Sequence, residues 1–230
     1  MARTRGRGDA GGALWLLGAA VLAAPLLVFV AAFGTRYGWW SRDIGYDLLA
    51  LGVGRWLALA GLAAGLLALL IGLRQPRRYG LLGAVLLLVG GGFAVATWMQ
   101  HQRLTADAPG DVSTNPQEPP AFSETLLTAR GAPVGVASSA CPGVAAVPRQ
   151  LAAPDVAEAL RRAGFRVVGA GAFRVEGTHS GYWFGFDHDV TVRIRPARTD
   201  VRIAARSGKP QGDQACALLA EATAELAKAP

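Results

Sequence analysis

Three long apolar runs occupy most of the first hundred residues, and they constrain the fold more than any other feature of the sequence. The first covers 11–35, the second covers 56–73 between Arg55 and Arg74, and the third covers 79–99. A helix of about 20 apolar residues crosses the hydrocarbon core of a bilayer, so each run is close to the spanning length. A soluble domain would have to cover these helices with polar faces that the runs lack. The sequence therefore predicts three membrane spans.

The first run has an alternative interpretation as a cleaved signal peptide. Arg3, Arg5 and Arg7 would form its basic end, and residues 19–24 resemble a cleavage region. The apolar stretch continues as far as Phe33, which is longer than the core of a typical signal peptide. We therefore favour an uncleaved first span.

The arginines beside the runs predict the orientation of the spans. Nine of the 23 Lys and Arg residues precede residue 100, against three of the 16 acids. Six arginines lie in the N-terminal tail and the second loop (Arg3, Arg5, Arg7, Arg74, Arg77, Arg78), and four lie on the other side (Arg36, Arg42, Arg55, Arg103). The side with more basic residues is usually cytoplasmic, which predicts a cytoplasmic N-terminus and an exported C-terminal part. Basic residues that flank apolar runs do not indicate nucleic-acid binding, which needs them on one folded face.

Glycines recur inside the second and third runs. Gly61 and Gly65 are four residues apart, and Gly90 opens a run of three glycines. Small residues allow helices to approach closely, either across a dimer or within one chain. A single such pair is a weak signal, so we favour packing among the spans of one chain and leave the oligomeric state open.

The composition changes after Gln100. Residues 101–154 contain eight of the 13 prolines, which favour extended or turn-forming chain. We expect a membrane region at 1–104, a Pro-rich extended linker or strap at 105–132 with few regular elements, and an exported domain at 133–230. A long irregular segment of this kind more often lies along a surface than hangs free.

The exported domain shows helix and strand periodicities in turn. Apolar positions predict an amphipathic helix at Pro154–Ala163 and a final helix at Asp213–Ala227. Alternating or aromatic-rich segments between them predict strands at 165–168, 172–176, 182–186, 190–195 and 201–206. This order predicts a small α+β domain, in which helices cover one face of an antiparallel sheet.

Cys141 and Cys216 are the only cysteines, and both lie in the exported part. An even number of cysteines in an oxidising compartment favours a disulfide over two buried thiols. Closing that loop would stabilise the domain by roughly 4 kcal/mol in the chain-entropy model.

Several segments of the exported half resemble one known family. They include Asp111-Val-Ser-Thr-Asn115, Pro119-Pro120-Ala-Phe122, Arg174-Val-Glu176, Tyr182-Trp-Phe-Gly-Phe186, Arg193-Ile-Arg195 and Asp200-Val-Arg202. Over about 110–228 the chain is similar to the domain-of-unknown-function family 1499, an uncharacterised and mostly bacterial envelope family in which some members carry N-terminal spans. The resemblance implies the fold and a location in the bacterial inner membrane, and it implies no activity.

Arginines at alternate positions of two predicted strands are the main candidates for binding. If the strands pair, Arg193, Arg195, Arg202 and Arg206 share one face and suit a lipid phosphate or an acidic glycan, because guanidinium groups bind such oxyanions bidentately. The alternative is a solvated face paired with Asp187 or Asp200. The predicted binding set is Arg193, Arg195, Arg202, Glu176 and Asp189.

The sequence favours binding over catalysis. Asp187, His188 and Asp189 alternate between two faces, so they do not converge on one metal ion, and we predict no metal or cofactor. The chain has no nucleophile-elbow, phosphate-loop or zinc-protease motif. We expect a non-enzymatic, membrane-anchored envelope protein whose exported domain binds a partner protein, a lipid or a glycan. The alternative is a hydrolase-like enzyme that uses Glu176 with Asp189 or His188.

Overall fold

The computed structural model describes residues 6–105, 108–130, 138–209 and 211–230. The chain forms two units, Met1–Gln102 and Arg103–Pro230. We call the second unit the C-terminal domain.

The first unit consists of long helices and confirms the three predicted spans. Its α-helices are α1 (Gly6–Arg36), α2 (Gly54–Arg74) and α3 (Leu81–Thr105), with π-helical segments at Asp43–Val53 and Pro76–Gly80. Three stretches are long and apolar enough to cross a membrane: Ala10–Arg36, Asp43–Arg74 and Pro76–Leu104.

The second span begins earlier than the sequence predicted. Helical structure starts at Asp43 and continues through Arg55, the predicted boundary of the apolar run. The Arg55 guanidinium lies over the Trp56 ring, 5.3 Å from its centroid. An arginine limits the apolar stretch, but it is a good helix former and does not end the helix.

The glycines of the second and third runs let α2 and α3 pack backbone to backbone. A Cβ at Gly90 would lie 2.6 Å from the Gly61 carbonyl oxygen, and a Cβ at Gly65 would lie 2.9 Å from the Leu86 carbonyl oxygen. Any side chain at these positions would force the two helices apart. This packing lies within one chain, as the sequence favoured.

The C-terminal domain is built on a five-stranded antiparallel sheet with the order β1-β5-β4-β3-β2. Its strands are β1 (Asp111–Ser113), β2 (Arg166–Gly171), β3 (Arg174–Ser180), β4 (Asp187–Arg195) and β5 (Arg198–Ala205). Its helices are α4 (Glu124–Arg130), α5 (Ala153–Arg162) and α6 (Gln214–Ala227).

One face of the sheet carries the apolar core. Val190, Val192 and Ile194 alternate along β4 and belong to the same buried cluster as Leu160 of α5 and Leu219 of α6. Burying each such side chain contributes about 1.5–3 kcal/mol. The predicted fold, an antiparallel sheet with helices on one face, is confirmed.

The end of α5 shows how the sequence stops a helix. Gly164 follows the helix with φ +80, a left-handed conformation that glycine adopts without strain. The Gly164 N–H donates to the Arg161 carbonyl, and the Phe165 N–H donates to the Leu160 carbonyl. These bonds satisfy carbonyls that the helix leaves open and turn the chain into β2.

Cys141 and Cys216 form the predicted disulfide, with their Cα atoms 5.6 Å apart. The bond joins the segment before α5 to the first turn of α6. The two cysteines are 75 residues apart in sequence, and four of the five strands lie between them.

The predicted strand at 182–186 is wrong. Residues 182–184 form a turn between β3 and β4, closed by a 2.8 Å hydrogen bond from the Gly181 N–H to the Phe186 carbonyl. Gly185 has φ +64, which extended chain cannot accommodate. The aromatic residues here mimic a strand in composition, but the flanking glycines decide the local structure.

The face of the sheet opposite α5 and α6 is covered by residues 115–130, which we call the strap. Phe122 and Leu126 of the strap form a small buried cluster with Ala204 of β5. The sequence predicted few regular elements at 105–132, but β1 and α4 both lie in that range.

Candidate binding site

Charged side chains line the face of the sheet beneath the strap. Strand pairing sets Thr191 opposite Arg202 and Arg193 opposite Asp200, so alternate residues of β4 and β5 point to this face. All five residues of the predicted binding set lie on it: Arg193, Arg195, Arg202, Glu176 and Asp189. The structure divides them between two groups of ion pairs.

The first group, which we call the buried cluster, surrounds Asp189 of β4. Both oxygens of its fully buried carboxylate accept from Arg206, at 2.9 and 2.8 Å. Arg130 of α4 donates at 3.1 Å and the Thr178 hydroxyl at 2.8 Å. Burial lowers the pKa of Arg130, whereas the hydrogen bond to Asp189 raises that of Arg206. Four hydrogen bonds from three side chains therefore satisfy this buried carboxylate.

Arg202 extends the buried cluster to the strap. Its guanidinium makes two bonds to Asp111, at 2.9 and 2.7 Å, and donates to the Pro120 carbonyl at 3.3 Å. The guanidinium carbons of Arg202 and Arg130 lie 5.3 and 5.4 Å from the centroid of the Phe122 ring. Both distances fall within the range of favourable cation–π contact, so Phe122 adds to the attachment of the strap.

Glu176 of β3 holds the start of α4. Its carboxylate accepts from the Ser123 N–H at 2.7 Å and from the Ser123 hydroxyl at 2.5 Å. The same hydroxyl oxygen accepts from the Leu126 N–H, which makes Ser123 the cap of α4. Glu176 therefore fixes a helix terminus and lies next to an open groove.

The second group, which we call the groove cluster, surrounds Asp200 of β5. The Asp200 carboxylate accepts from Arg193, Arg195 and Arg198 at 3.2, 2.7 and 2.6 Å. Burial alone would raise the pKa of Asp200, but hydrogen bonds from the three arginines outweigh burial and lower it. Glu118 of the strap accepts from Arg195 at 2.8 Å and from Arg193 at 3.4 Å. The bond from Arg195 and the charge of Arg193 lower the Glu118 pKa.

A groove of about 660 Å³ adjoins this cluster, between the strap and the β2–β3 hairpin. Its lining includes Glu176, Arg193, Arg174, Phe173 and Ser123, together with the small residues 169–171 and Ala121. Four arginines surround this end of the sheet (Arg174, Arg193, Arg195, Arg198), against three carboxylates (Glu118, Glu176, Asp200). The groove therefore combines open volume with an excess of positive charge.

His188 lies on the opposite face of the sheet from Glu176 and Asp189. It is buried, and burial together with the charge of neighbouring His179 lowers its pKa to about 4. The imidazole is therefore neutral at pH 7 and points into the apolar core, away from both carboxylates. Across the described ranges, no three His, Cys, Asp or Glu residues form a group that could hold a metal ion.

A family described as "Protein of unknown function (DUF1499)" matches residues 111–226. The chain belongs to this family. The DUF1499 match begins with β1 and ends inside α6, so the strap, both clusters and the groove all lie within it. No curated protein matches the chain, and no solved structure does either.

Sequence reasoning missed the residues of β1 and the strap that complete the DUF1499 site. Ser123 precedes Glu-Thr-Leu-Leu, a helix-start pattern that would have predicted both the cap and α4. Asp111 and Phe122 stand in segments that resemble the family. Glu118 and Arg130 carried no local signal, because their partners lie 75 and 59 residues away in the chain.

Proposed function

We propose that this protein is a membrane-anchored, non-enzymatic binding protein of the bacterial inner membrane. Its three helices cross the membrane with the N-terminus in the cytoplasm, and the DUF1499 domain lies on the far side. That domain binds a ligand with an anionic oxygen group, either a lipid phosphate or the carboxylate of an acidic glycan, along the groove.

The observation that carries this proposal is the excess of arginine beside an open groove. Arg193 and Arg195 share Asp200 and Glu118, yet their side chains remain partly exposed. Guanidinium groups have five donors each and bind phosphate or carboxylate oxygens in pairs. An incoming oxyanion can therefore take donors from Arg193 and Arg195 while Asp200 keeps them in place.

The five residues of the site have different roles in this proposal. Arg193 and Arg195 contact the oxyanion, and Glu176 forms part of the groove while it holds Ser123. Arg202 and Asp189 are bonded to Asp111, Arg130 and Arg206, so they fix the sheet and the strap that border the groove.

Replacing Arg193 and Arg195 together tests whether the groove binds an anionic ligand. The full-length protein, extracted in detergent, would be analysed by native mass spectrometry as wild type, as Arg193→Gln/Arg195→Gln, and as Arg161→Gln/Arg162→Gln. The control pair removes the same charge from α5, where both arginines form exposed ion pairs. We expect an anionic lipid or glycan to co-purify with wild type and the control and to be lost from the groove variant.

Two further arms distinguish the sources of the oxyanion. Binding to nanodiscs that contain phosphatidylglycerol would identify a lipid phosphate, and binding to soluble uronic-acid oligosaccharides would identify a glycan. Equal binding by all three proteins in both arms would overturn the proposal, because the groove arginines would then contribute nothing.

Reporter fusions test the orientation. The proposed orientation rests on the count of arginines: six lie on the side of the N-terminus and four lie on the other side of the spans. Alkaline phosphatase fused after Pro230 should be active, because it folds only outside the cytoplasm, and a fluorescent protein at the same position should be dark. The reverse pattern would contradict the orientation and leave the groove proposal to its own test.

A further inference from the structure

An exposed aromatic ring lines the groove at the tip of the β2–β3 hairpin. Phe173 is 70% exposed, and within the part of the chain that the structure describes its ring has no aromatic or cation–π partner. Its carbonyl accepts from the Ile194 N–H at 2.8 Å, which holds the backbone of the hairpin tip against β4. The hairpin therefore presents a flat apolar surface to the groove.

Arg174, the next residue, brings a second unusual feature to the groove. Strand register sets it directly opposite Arg193, on the same face of the sheet, and like charges in that arrangement are destabilising. Arg193 bonds to Asp200 and Glu118. Arg174 has no carboxylate partner among the described residues, and its bond to the Ala121 carbonyl is long, at 3.5 Å. An anion between the two guanidinium groups would offset their repulsion.

A carboxylate lies on the same face, two residues further along β3. Glu176 lines the groove and accepts two bonds from Ser123, whereas an ionised carboxylate has about four lone-pair sites. Hydroxyl groups on a ligand could donate to the sites that Ser123 leaves open. The charge pattern therefore suits a ligand that carries one anionic group and several hydroxyls, and a bare phosphate lacks such donors.

The rest of the groove is lined by small residues. Gly169, Ala170 and Gly171 of β2 contribute to it, together with Ala121 of the strap. Among the described residues no aliphatic side chain larger than alanine lines the groove, so nothing there would hold an acyl chain. The volume of about 660 Å³ is typical of small-molecule sites. This lining favours a polar ring over a lipid tail.

We propose that the groove binds a hexuronic acid residue of an acidic glycan, that is, a pyranose ring with one carboxylate. Phe173 stacks on the apolar face of the sugar, because the C–H groups of the sugar meet the negative face of the aromatic ring. Arg174 joins Arg193 in binding the carboxylate, and Glu176 accepts from sugar hydroxyls. This assignment rests on the proposed function, since it takes the same groove as the ligand site, and it names one of the two ligand classes and two further contact residues.

Isothermal titration calorimetry of the full-length protein in detergent tests the assignment. The probes are a hexuronic acid trisaccharide and its methyl ester, which keeps the rings and hydroxyls but has no charge. We expect wild type to bind the acid and to bind the ester at least about tenfold more weakly, because the ester loses its charged hydrogen bonds.

Two substitutions test the new contact residues. Arg174→Gln should weaken binding of the acid by roughly tenfold to a hundredfold, the range for hydrogen bonds to charged groups. Phe173→Leu should weaken it by about two- to tenfold, and Phe173→Trp should retain binding, because only the aromatic variant keeps the stacking surface. The matched control is Arg166→Gln, which removes an exposed arginine of the same hairpin that does not line the groove, and it should bind as wild type does.

The outcomes separate this assignment from the proposed function. Binding to phosphatidylglycerol nanodiscs without binding to the trisaccharide would overturn the assignment and leave the groove as a site for lipid phosphate. Loss of trisaccharide binding in Arg193→Gln/Arg195→Gln, with wild-type affinity in Arg174→Gln and Phe173→Leu, would also overturn it, and so would equal affinity for the methyl ester. Absence of binding to both the trisaccharide and the nanodiscs would overturn the proposed function as well.

Discussion

The two clusters on the strap-covered face use the same chemistry for different purposes. Asp189 and Asp200 stand on neighbouring strands, both are fully buried, and both accept from several arginines. The Arg130 side chain that bonds Asp189 is 2% exposed, whereas the Arg198 side chain that bonds Asp200 is 44% exposed. The buried cluster therefore attaches the strap through the buried Arg130, and the groove cluster leaves guanidinium groups that water or a ligand can reach.

The largest expected effect on stability comes from replacing the central carboxylate of each cluster, Asp189 or Asp200, one at a time. Asp189→Asn leaves the buried Arg130 guanidinium without its carboxylate, and breaking a buried pair in this way costs about 3–5 kcal/mol. Asp200→Asn should cost clearly less, because its arginines can turn toward solvent. Urea unfolding in detergent, followed by the emission of Trp183 in a chain whose other five tryptophans are replaced by Phe, measures both.

These isosteric variants control for each other, because both replace a buried Asp on the same face by Asn. Equal losses would show that exposure does not distinguish the clusters and would remove the structural reason to place a ligand at only one of them. A greater loss for Asp200→Asn would reverse the comparison.

This division between the clusters was beyond the reach of sequence analysis, although much of the fold was not. The periodicity and the length of the apolar segments predict the spans, α5, α6 and most strands, because those signals are local. Alternation also puts Arg193, Arg195 and Arg202 at equivalent positions of two strands. Whether each arginine is buried depends on Glu118 and Arg130 of the strap, which contact β4 only after the chain folds.

The strap was the hardest region to predict for the same reason. Its prolines indicate irregular chain, and nothing within the segment shows that Phe122 meets two guanidinium groups. The π-helical start of the second span was missed for a different reason, because Arg55 interrupts the apolar run on which the prediction depends.

Lowering the pH should show whether the carboxylates of the clusters or His188, on the opposite face of the sheet, gain protons first. His188 has a pKa of about 4 in the folded domain against an ordinary 6.5, so the unfolded chain binds more protons between these values. Stability should therefore fall as the pH drops from about 6.5 to 4, by about 3 kcal/mol. The pKa values of Asp200 and Glu118 are lowered from ordinary values of 3.8 and 4.5. These two carboxylates therefore lose their charge, and the groove cluster its ion pairs, only at a lower pH.

His188→Gln isolates that effect. The variant keeps a neutral polar side chain on the core face but cannot gain the imidazole proton. The free energy of unfolding, measured by urea at several pH values between 7 and 4, should then be nearly flat. A slope as steep as that of wild type would assign the acid sensitivity to the carboxylates of the clusters instead.

Phe122→Leu tests how far aromatic contact contributes to the buried cluster. Leucine retains much of the apolar contact with Leu126 and Ala204 but loses the ring beneath Arg130 and Arg202. We expect a cost of about 1–2 kcal/mol, the sum of two partly buried cation–π contacts. The double-mutant cycle with Arg130→Met measures the coupling between the two side chains. A coupling near zero would mean that Phe122 contributes only apolar contact.

The smallest expected effect on stability, and the most informative one for function, belongs to Glu118→Gln. Glu118 is an exposed strap carboxylate that accepts from the Nη1 atoms of Arg193 and Arg195, whereas Asp200 accepts from their Nη2 atoms. Exposed ion pairs contribute little to stability, so unfolding should be unchanged. Its removal frees two donors beside the groove, and anionic ligand should bind more tightly to the variant than to wild type in the nanodisc or oligosaccharide arm. Arg161→Gln, which breaks an exposed pair on α5, should leave binding as it was. Weaker binding by Glu118→Gln would mean that the carboxylate positions the arginines for the ligand and does not compete with it.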